Sequence, residues 1–160
     1  VTRVKLVPVI PKRAPIPDAE TARLAIEDAL DTIASEAKDL YEKTVKTWDT
    51  DVTFTVHRVK GGRTVGTASK TFAFVDQGTR WHVIRPKRKK FLAFKAGGFK
   101  AKTRVGVLSS SKGSPGKTPT FVKVVYHPGT EARGFSELIQ AKAQKAIGPE
   151  MTKRFKKLAR

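Results

Sequence analysis

Apolar residues recur at helical spacing at Ile26, Leu30, Ile33, Ala37, Leu40, Tyr41, Val45 and Trp48, while Glu27, Asp31, Lys38, Glu42 and Lys46 fill the opposite side. This pattern predicts one long amphipathic helix over residues 18–48. Pro17 stops what precedes it, and Asp18 is placed to cap it. Acidic residues come early and Lys38, Lys43 and Lys46 late, as the helix dipole favours. A coiled coil is the rival reading, but the repeat is short, and a helix lying across a sheet fits better. The period then changes to two. Val52, Phe54 and Val56 alternate with Thr53, Thr55 and His57, the mark of a half-buried strand. Gly61, Gly62 and Gly66 mark a turn region, and Ala68, Phe72 and Phe74 alternate on the way back. A β-hairpin is expected there, broken at Asp76-Gln77-Gly78.

Further on, residues 81–84 read as a short extended piece, residues 91–94 as a strand and residues 103–108 as another. Residues 109–118 are Ser, Gly, Pro, Lys and Thr with no apolar anchor, which predicts a mobile loop. Phe121, Lys123 and Val125 set against Val122, Val124 and Tyr126 give a segment apolar on both faces, expected as a central strand covered by a helix. Phe135, Leu138, Ile139, Lys142 and Ala146 share one side of a helix that Gly148-Pro149 is expected to interrupt. Met151, Phe155 and Leu158 then make a short basic amphipathic segment. At the other end, Pro8, Pro11, Pro15 and Pro17 predict an extended arm. The arm's Val4, Leu6, Val7, Val9 and Ile10 suit docking on a neighbouring subunit or folding back on its own domain.

These elements define an α+β fold: a long N-terminal helix and a C-terminal helix packed on one face of a mainly antiparallel β-sheet, with an extended N-terminal arm. Three parts are expected: the arm at residues 1–17, the α+β domain at 18–147 and the basic helical segment at 148–160. A length of 160 residues suits one domain with a modest core. Cysteine is absent, which removes disulfides, thiol nucleophiles and cysteine metal sites. No apolar run reaches the roughly 18–20 residues that span a bilayer, and residues 1–17 lack the apolar segment of a signal peptide. A soluble protein of the cytoplasm, or of a particle assembled there, is expected.

Charge changes the picture more than length does. The net charge is +19, and it is unevenly spread. Asp18, Glu20, Glu27, Asp28, Asp31, Glu36, Asp39, Glu42, Asp49 and Asp51 crowd the first third, whereas residues 77–130 hold no Asp or Glu at all. Such a split suits an anionic partner, and equally suits head-to-side packing of identical subunits. The sharpest basic feature is Arg85, Lys87, Arg88, Lys89 and Lys90. These five are candidates for contacting DNA phosphates without sequence preference, or for facing the acidic helix of a neighbouring subunit. A nuclear-localisation reading rests on composition alone. Asp31, Asp39 and Glu42 are the matching subunit-contact candidates. Trp81 could stack on a base, although packing under a strand edge is the commoner fate of such a residue.

Catalytic patterns are weak. Residues 111–118 suggest a phosphate-binding loop, but Ser111 is a poor first residue, Pro115 removes a donor, and a strand rather than a helix is expected to follow. His57, His82 and His127 show no helical ligand spacing. Asp76 and Glu131 make a His–carboxylate pair conceivable, yet turn histidines bonded to backbone fit better. No catalytic, cofactor or metal site is expected.

The order of motifs carries the most information. Gly78-Thr79 ends one strand. His82, Ile84, Pro86 and Lys87 follow in a His-x-Ile-x-Pro-Lys pattern, then Leu92 and Phe94, a second strand, and His127-Pro128-Gly129-Thr130 ahead of Phe135. This series resembles the tail-completion (head–tail joining, neck) proteins of long-tailed double-stranded DNA bacteriophages. Gly134 stands where that family usually has Pro. The resemblance implies a structural virion protein, not an enzyme, assembled in the host cytoplasm into a ring of six or twelve subunits at the head–tail junction. It further implies contacts with adjacent connector, adaptor and tail proteins, and transient contact with the genome passing through the ring. The alternative class is a stand-alone basic nucleic-acid-binding protein, ribosome-associated or DNA-packaging. The acidic first third separates the two: it has no use in a simple phosphate binder but serves subunits that bind one another.

Overall fold

A computed structural model describes residues 2–6, 18–98, 100–109 and 111–158, the side chains of Thr2, Arg3 and Val4 excepted. In chain order the elements are β1 (Thr2–Leu6), α1 (Ala19–Val45), β2 (Thr55–Val59), β3 (Gly62–Thr67), α2 (Lys70–Gln77), β4 (His82–Ile84), β5 (Leu92–Ala96), β6 (Thr118–Val122), β7 (Val125–His127) and α3 (Phe135–Leu158). The fold is α+β, with every strand pair antiparallel. The sheet is not continuous: one three-stranded sheet runs β1-β3-β2, and β4-β7 and β5-β6 form two separate pairs.

Helix α1 begins where its sequence cap predicts. Asp18 Oδ1 accepts from the Glu20 and Thr21 backbone N–H groups at 3.1 and 2.9 Å, using donors that have no partner within the helix. Its buried stripe (Ala29, Leu30, Ile33, Ala37, Tyr41) meets a stripe on α3 spaced by fours: Phe135, Ile139, Ala143, Ile147, Met151 and Phe155. Alanines on both stripes let the helices approach closely. Beneath them an aromatic cluster joins the elements. Tyr41 stacks on Phe54 at 4.7 Å, and Phe72 meets Phe54 edge-on at 5.2 Å and lies 6.2 Å from Phe135.

Three arginines bolt the layers. Asp31 on α1 accepts from Arg63 Nε at 2.5 Å and Arg63 Nη2 at 3.1 Å, and from Arg58 Nη2 at 2.9 Å, tying the helix to the β2–β3 hairpin. Arg154 on α3 pairs with Asp28 and donates to Thr32 Oγ1 on α1, and also bonds Glu150 on its own helix. Part of the acidic content of α1 is therefore used within the chain.

Several expectations are corrected. Ala68, Phe72 and Phe74 do not form a returning strand. The return strand is β3, and residues 70–77 are helix α2, capped by the Ser69 side chain on the Phe72 N–H at 3.2 Å. In so short an apolar segment the cap outweighs the alternation: Phe72 fills the aromatic cluster and Phe74 is left exposed. Helix α3 runs unbroken through Gly148-Pro149, so the boundary expected at 147/148 falls inside a helix. Pro149 costs a helical hydrogen bond, but the buried face continues through Ile147, Met151 and Phe155 and holds both turns on α1. The expected arm begins as β1, which pairs along its length with β3 and buries Leu6 completely. Residues 7–17 lie outside the described residues.

Candidate functional site

The acid-free stretch leaves the body at one point and returns beside it. Thr79 and Thr130 form a β-bridge there, with backbone bonds of 2.9 and 3.1 Å and their hydroxyl oxygens 3.0 Å apart. The glycine before each threonine makes the approach possible. A Cβ on Gly78 would lie 2.5 Å from the Thr130 carbonyl oxygen, and one on Gly129 only 2.1 Å from that of Thr79. Both glycines also hold positive φ, +74° and +97°. The two Gly-Thr motifs thus form one reciprocal junction.

From the junction an antiparallel ribbon runs outward. His82 pairs with His127 and Ile84 with Val125 in β4–β7, then Leu92 with Val122 and Ala96 with Thr118 in β5–β6. The imidazoles of His82 and His127 lie 5.0 Å apart, stacked. Each also bonds backbone: His82 Nδ1 with the Arg80 carbonyl at 2.8 Å, and His127 Nδ1 with the Gly129 N–H at 3.0 Å. The first bond needs a proton on Nδ1 of His82; the second needs Nδ1 of His127 bare. These are the backbone-bonded turn histidines the sequence suggested. Among the described residues, no group of three or more His, Asp or Glu is placed to hold a metal ion.

Beyond β5 and β6 the ribbon curls back onto the body. Lys100 and Ser114 exchange backbone bonds at 3.0 Å, and the Ser111 N–H reaches the Lys102 carbonyl at 2.7 Å. Lys102 Nζ donates to the Thr47 carbonyl at 2.8 Å and pairs with Asp49 at 2.7 Å, anchoring the tip at the end of α1. Of the segment expected to be a mobile loop, Ser111, Ser114 and Lys117 are therefore stitched to the opposite side of the ribbon, while residue 110 lies outside the described residues. Residues 103–108 are a turn region rather than a strand; Leu108 packs against the core and Gly106 N–H bonds the Arg133 carbonyl at 3.2 Å. An open cleft of about 660 Å³ lies between the tip and the body, lined by Trp48, Val75, Pro115 and Arg133 among others. The segment resembling a phosphate loop runs straight into β6, with no helix N-terminus behind it.

The ribbon's outer part is bare. Residues 121–126 do not form the expected covered central strand; they split between β6 and β7, each in a two-stranded pair. Phe121 is 69% exposed and Tyr126 67%. Trp81, 61% exposed, stacks on Tyr126 with ring centroids 6.3 Å apart, rather than packing under a strand edge. Phe91 and Phe94 are exposed as well. Apolarity on both faces was legible in the sequence; that nothing among the described residues covers it was not.

The basic run occupies the gap between the two ribbon sections. Residues 85–91 bulge from one strand opposite only residues 123–124 of the other. Arg85, Lys87, Arg88, Lys89 and Lys90 are all exposed, and among the described residues none is in an ion pair. Pro86, half-buried, starts the bulge. Of the acidic candidates, Asp39 and Glu42 are exposed on α1, with Glu42 3.5 Å from Lys38. Asp31 is different. It serves its own hairpin, and the hydrogen bond from Arg63, reinforced by the charges of Arg63 and Arg58, holds its carboxyl below the usual carboxylate range despite partial burial.

At the far end of the motif series, Phe135 is fully buried and opens α3. Sequence reading missed its support. Asp76, the last carboxylate before the acid-free stretch, accepts from the Ser136 N–H and hydroxyl and so caps α3 from another element. Gly134, just before Phe135, sits at φ +66°, a value closed to the Pro usual in the resembling family. Tyr41 lies nearby; burial is the main cause that pushes its phenol up to about 12, the Asp76 charge adding and the Ser136 side chain opposing.

No family model, no curated protein and no solved structure matches this chain. No helix among the described residues is long and apolar enough to cross a membrane.

Proposed function

We propose that this chain is a structural, non-enzymatic component of a bacteriophage neck, forming a ring of six or twelve subunits at the head–tail junction through which the genome passes. The observation that carries the reading is the bare ribbon. A two-stranded pair is marginal in water without a third strand or a packed helix, yet β5–β6 exposes Phe94 and Phe121 and, among the described residues, packs closely on no helix. Such a surface suits a chain that is completed by neighbours in an assembly. The ordered motifs that resemble neck proteins support the same reading, since they build the junction from which this ribbon springs. The exposed basic bulge suits passing contact with duplex DNA.

Antibody raised against the chain tests the role. It should decorate the head–tail junction of phage particles produced by cells that carry the gene. Label on the capsid, on the tail tip or on no particle overturns the assignment. The second reading, a stand-alone nucleic-acid-binding protein, is favoured by the exposed run Arg85, Lys87, Arg88, Lys89 and Lys90; it requires a tight, salt-resistant complex.

A further inference from the structure

We infer that the ribbon face carrying Trp81 and Tyr126 binds the unpaired bases of a single-stranded nucleic acid, while the basic bulge beside it holds the phosphates. The inference shares with the neck reading only the contact between that bulge and nucleic acid, and it names the form of nucleic acid the ribbon takes.

Register sorts the side chains of the ribbon onto two faces. Tyr126 pairs with Val83 and His127 with His82, so neighbours along β4 and β7 point to opposite sides. The stacked imidazoles of His82 and His127 take one face, and the stacked rings of Trp81 and Tyr126 take the other. Trp81 stands two residues before Val83 on that second face. Arg85 stands two residues after it, about 13 Å from Trp81 along the strand. Arg85 also opens the bulge that presents Lys87, Arg88, Lys89 and Lys90. An aromatic platform thus runs directly into a row of exposed cations.

These two chemistries together select the ligand. Trp81 and Tyr126 are each more than half exposed, so wide ring faces meet water and stacking on one another covers only part of them. What covers the rest must be flat, and it must be anionic. Residues 77–130, which include the whole ribbon from Thr79 to Thr130, hold no Asp or Glu. An acidic protein segment matches the charge, but only a strand of bases supplies a ring at every step. Duplex DNA also matches the charge alone, because its base faces are stacked on one another and only their edges reach the grooves. The strand that fits is therefore unpaired. Stacking accepts any base, so no sequence preference follows.

Tryptophan emission reads the contact. The chain has two tryptophans, and the other, Trp48, stacks on the buried Phe72. An oligothymidylate of about 16 nucleotides, the upper site size of one single-strand-binding module, should quench the emission of the unaltered protein. Trp81→Phe should remove the quenching while anisotropy still reports binding. In anisotropy at one low salt concentration the oligothymidylate should bind about tenfold tighter than a hairpin duplex of equal charge. Combining Trp81→Ala with Tyr126→Ala should erase that advantage and leave duplex binding and circular dichroism unchanged. Equal affinity for strand and duplex overturns the site, as does a strand advantage that survives the double substitution. So does quenching that persists in Trp81→Phe, or quenching of Trp81 as strong with polyglutamate or inorganic polyphosphate. Loss of the strand advantage with junction labelling intact removes this site and leaves the neck reading; a strand advantage without junction labelling removes the neck reading alone.

Discussion

Asp76 grips Ser136 with both carboxylate oxygens, Oδ1 on the backbone N–H at 3.0 Å and Oδ2 on the hydroxyl at 2.7 Å. The Asp76 carbonyl also accepts from the Arg133 and Gly134 N–H groups at 3.1 and 3.0 Å. One residue at the end of α2 thus sets where α3 starts, and with it the return of the chain after the ribbon. Asp76→Ala should cost about 1–2 kcal/mol, the range of a lost helix cap. Asp76→Asn, which keeps one acceptor, should cost less. Urea titration followed by circular dichroism measures both; equal, negligible losses would show that the cap is idle.

The Asp31–Arg63 pair sets an acid limit. Because the folded pKa of Asp31 is depressed, the unfolded chain takes up the proton first as pH falls. The stabilisation is therefore complete above the ordinary value of 3.8 and fades as pH drops through the lower folded value. Asp31→Asn should remove that part of the slope of melting temperature against pH. At neutral pH it should cost about 1–2 kcal/mol, the lower side of a charged hydrogen bond because Asp31 is partly solvated. Asp39→Lys and Glu42→Lys should leave the melting temperature nearly unchanged, since neither carboxylate is buried.

The reciprocal glycines give a graded series. Gly61 has positive φ but open space around a Cβ, so Gly61→Ala should cost about 1 kcal/mol from backbone strain alone. Gly129→Ala adds a clash with the Thr79 carbonyl and should cost about 3 kcal/mol, with Gly78→Ala close behind. Equal melting temperatures for the three variants would mean that the junction yields freely.

Helix α3 carries a removable defect. Gly148 lies inside it with nothing within 4 Å of where a Cβ would stand, so Gly148→Ala should stabilise by about 1 kcal/mol. Pro149→Ala should add up to about 3 kcal/mol by restoring a backbone donor. Differential scanning calorimetry decides the sign. A loss in either variant would mean that the Gly-Pro pair shapes the helix for its packing.

These cases also show what could be read from the chain beforehand. The long helix, the hairpin turn, the strand near residue 92 and the Gly-Thr and His-Pro-Gly-Thr turns were legible because each rests on local chemistry: a cap, a period, or a residue that permits positive φ. Helix α2 was not, because Phe72 and Phe74 satisfy both periods over so few residues and only the Ser69 cap decides. The unbroken α3 was hidden because tertiary packing on α1 outweighs the local cost of Pro149. Most of all, Phe121 to Tyr126 looked like a covered strand, since composition registers apolar faces but not what lies opposite them. The basic run was legible as charge; its position in a bulge depends on a pairing between residues far apart in sequence.

Duplex DNA should bind the chain weakly and without sequence preference at low salt, and be released near physiological ionic strength. Changing Arg85, Lys87, Arg88, Lys89 and Lys90 together to Gln should abolish that binding and leave the fold intact, since all five side chains are exposed. Fluorescence anisotropy across a salt series measures the slope. A complex that withstands salt and prefers one sequence would instead support a dedicated nucleic-acid-binding protein.

Residues 85–91 leave and rejoin the ribbon facing only residues 123–124, so no strand register counts them. Their number and composition can therefore drift without shifting His82 from His127 or Leu92 from Val122. Mutation and selection can change the charge of this one segment while the architecture around it stays fixed. The same freedom marks it as the natural place to insert a reporter peptide without disturbing the fold.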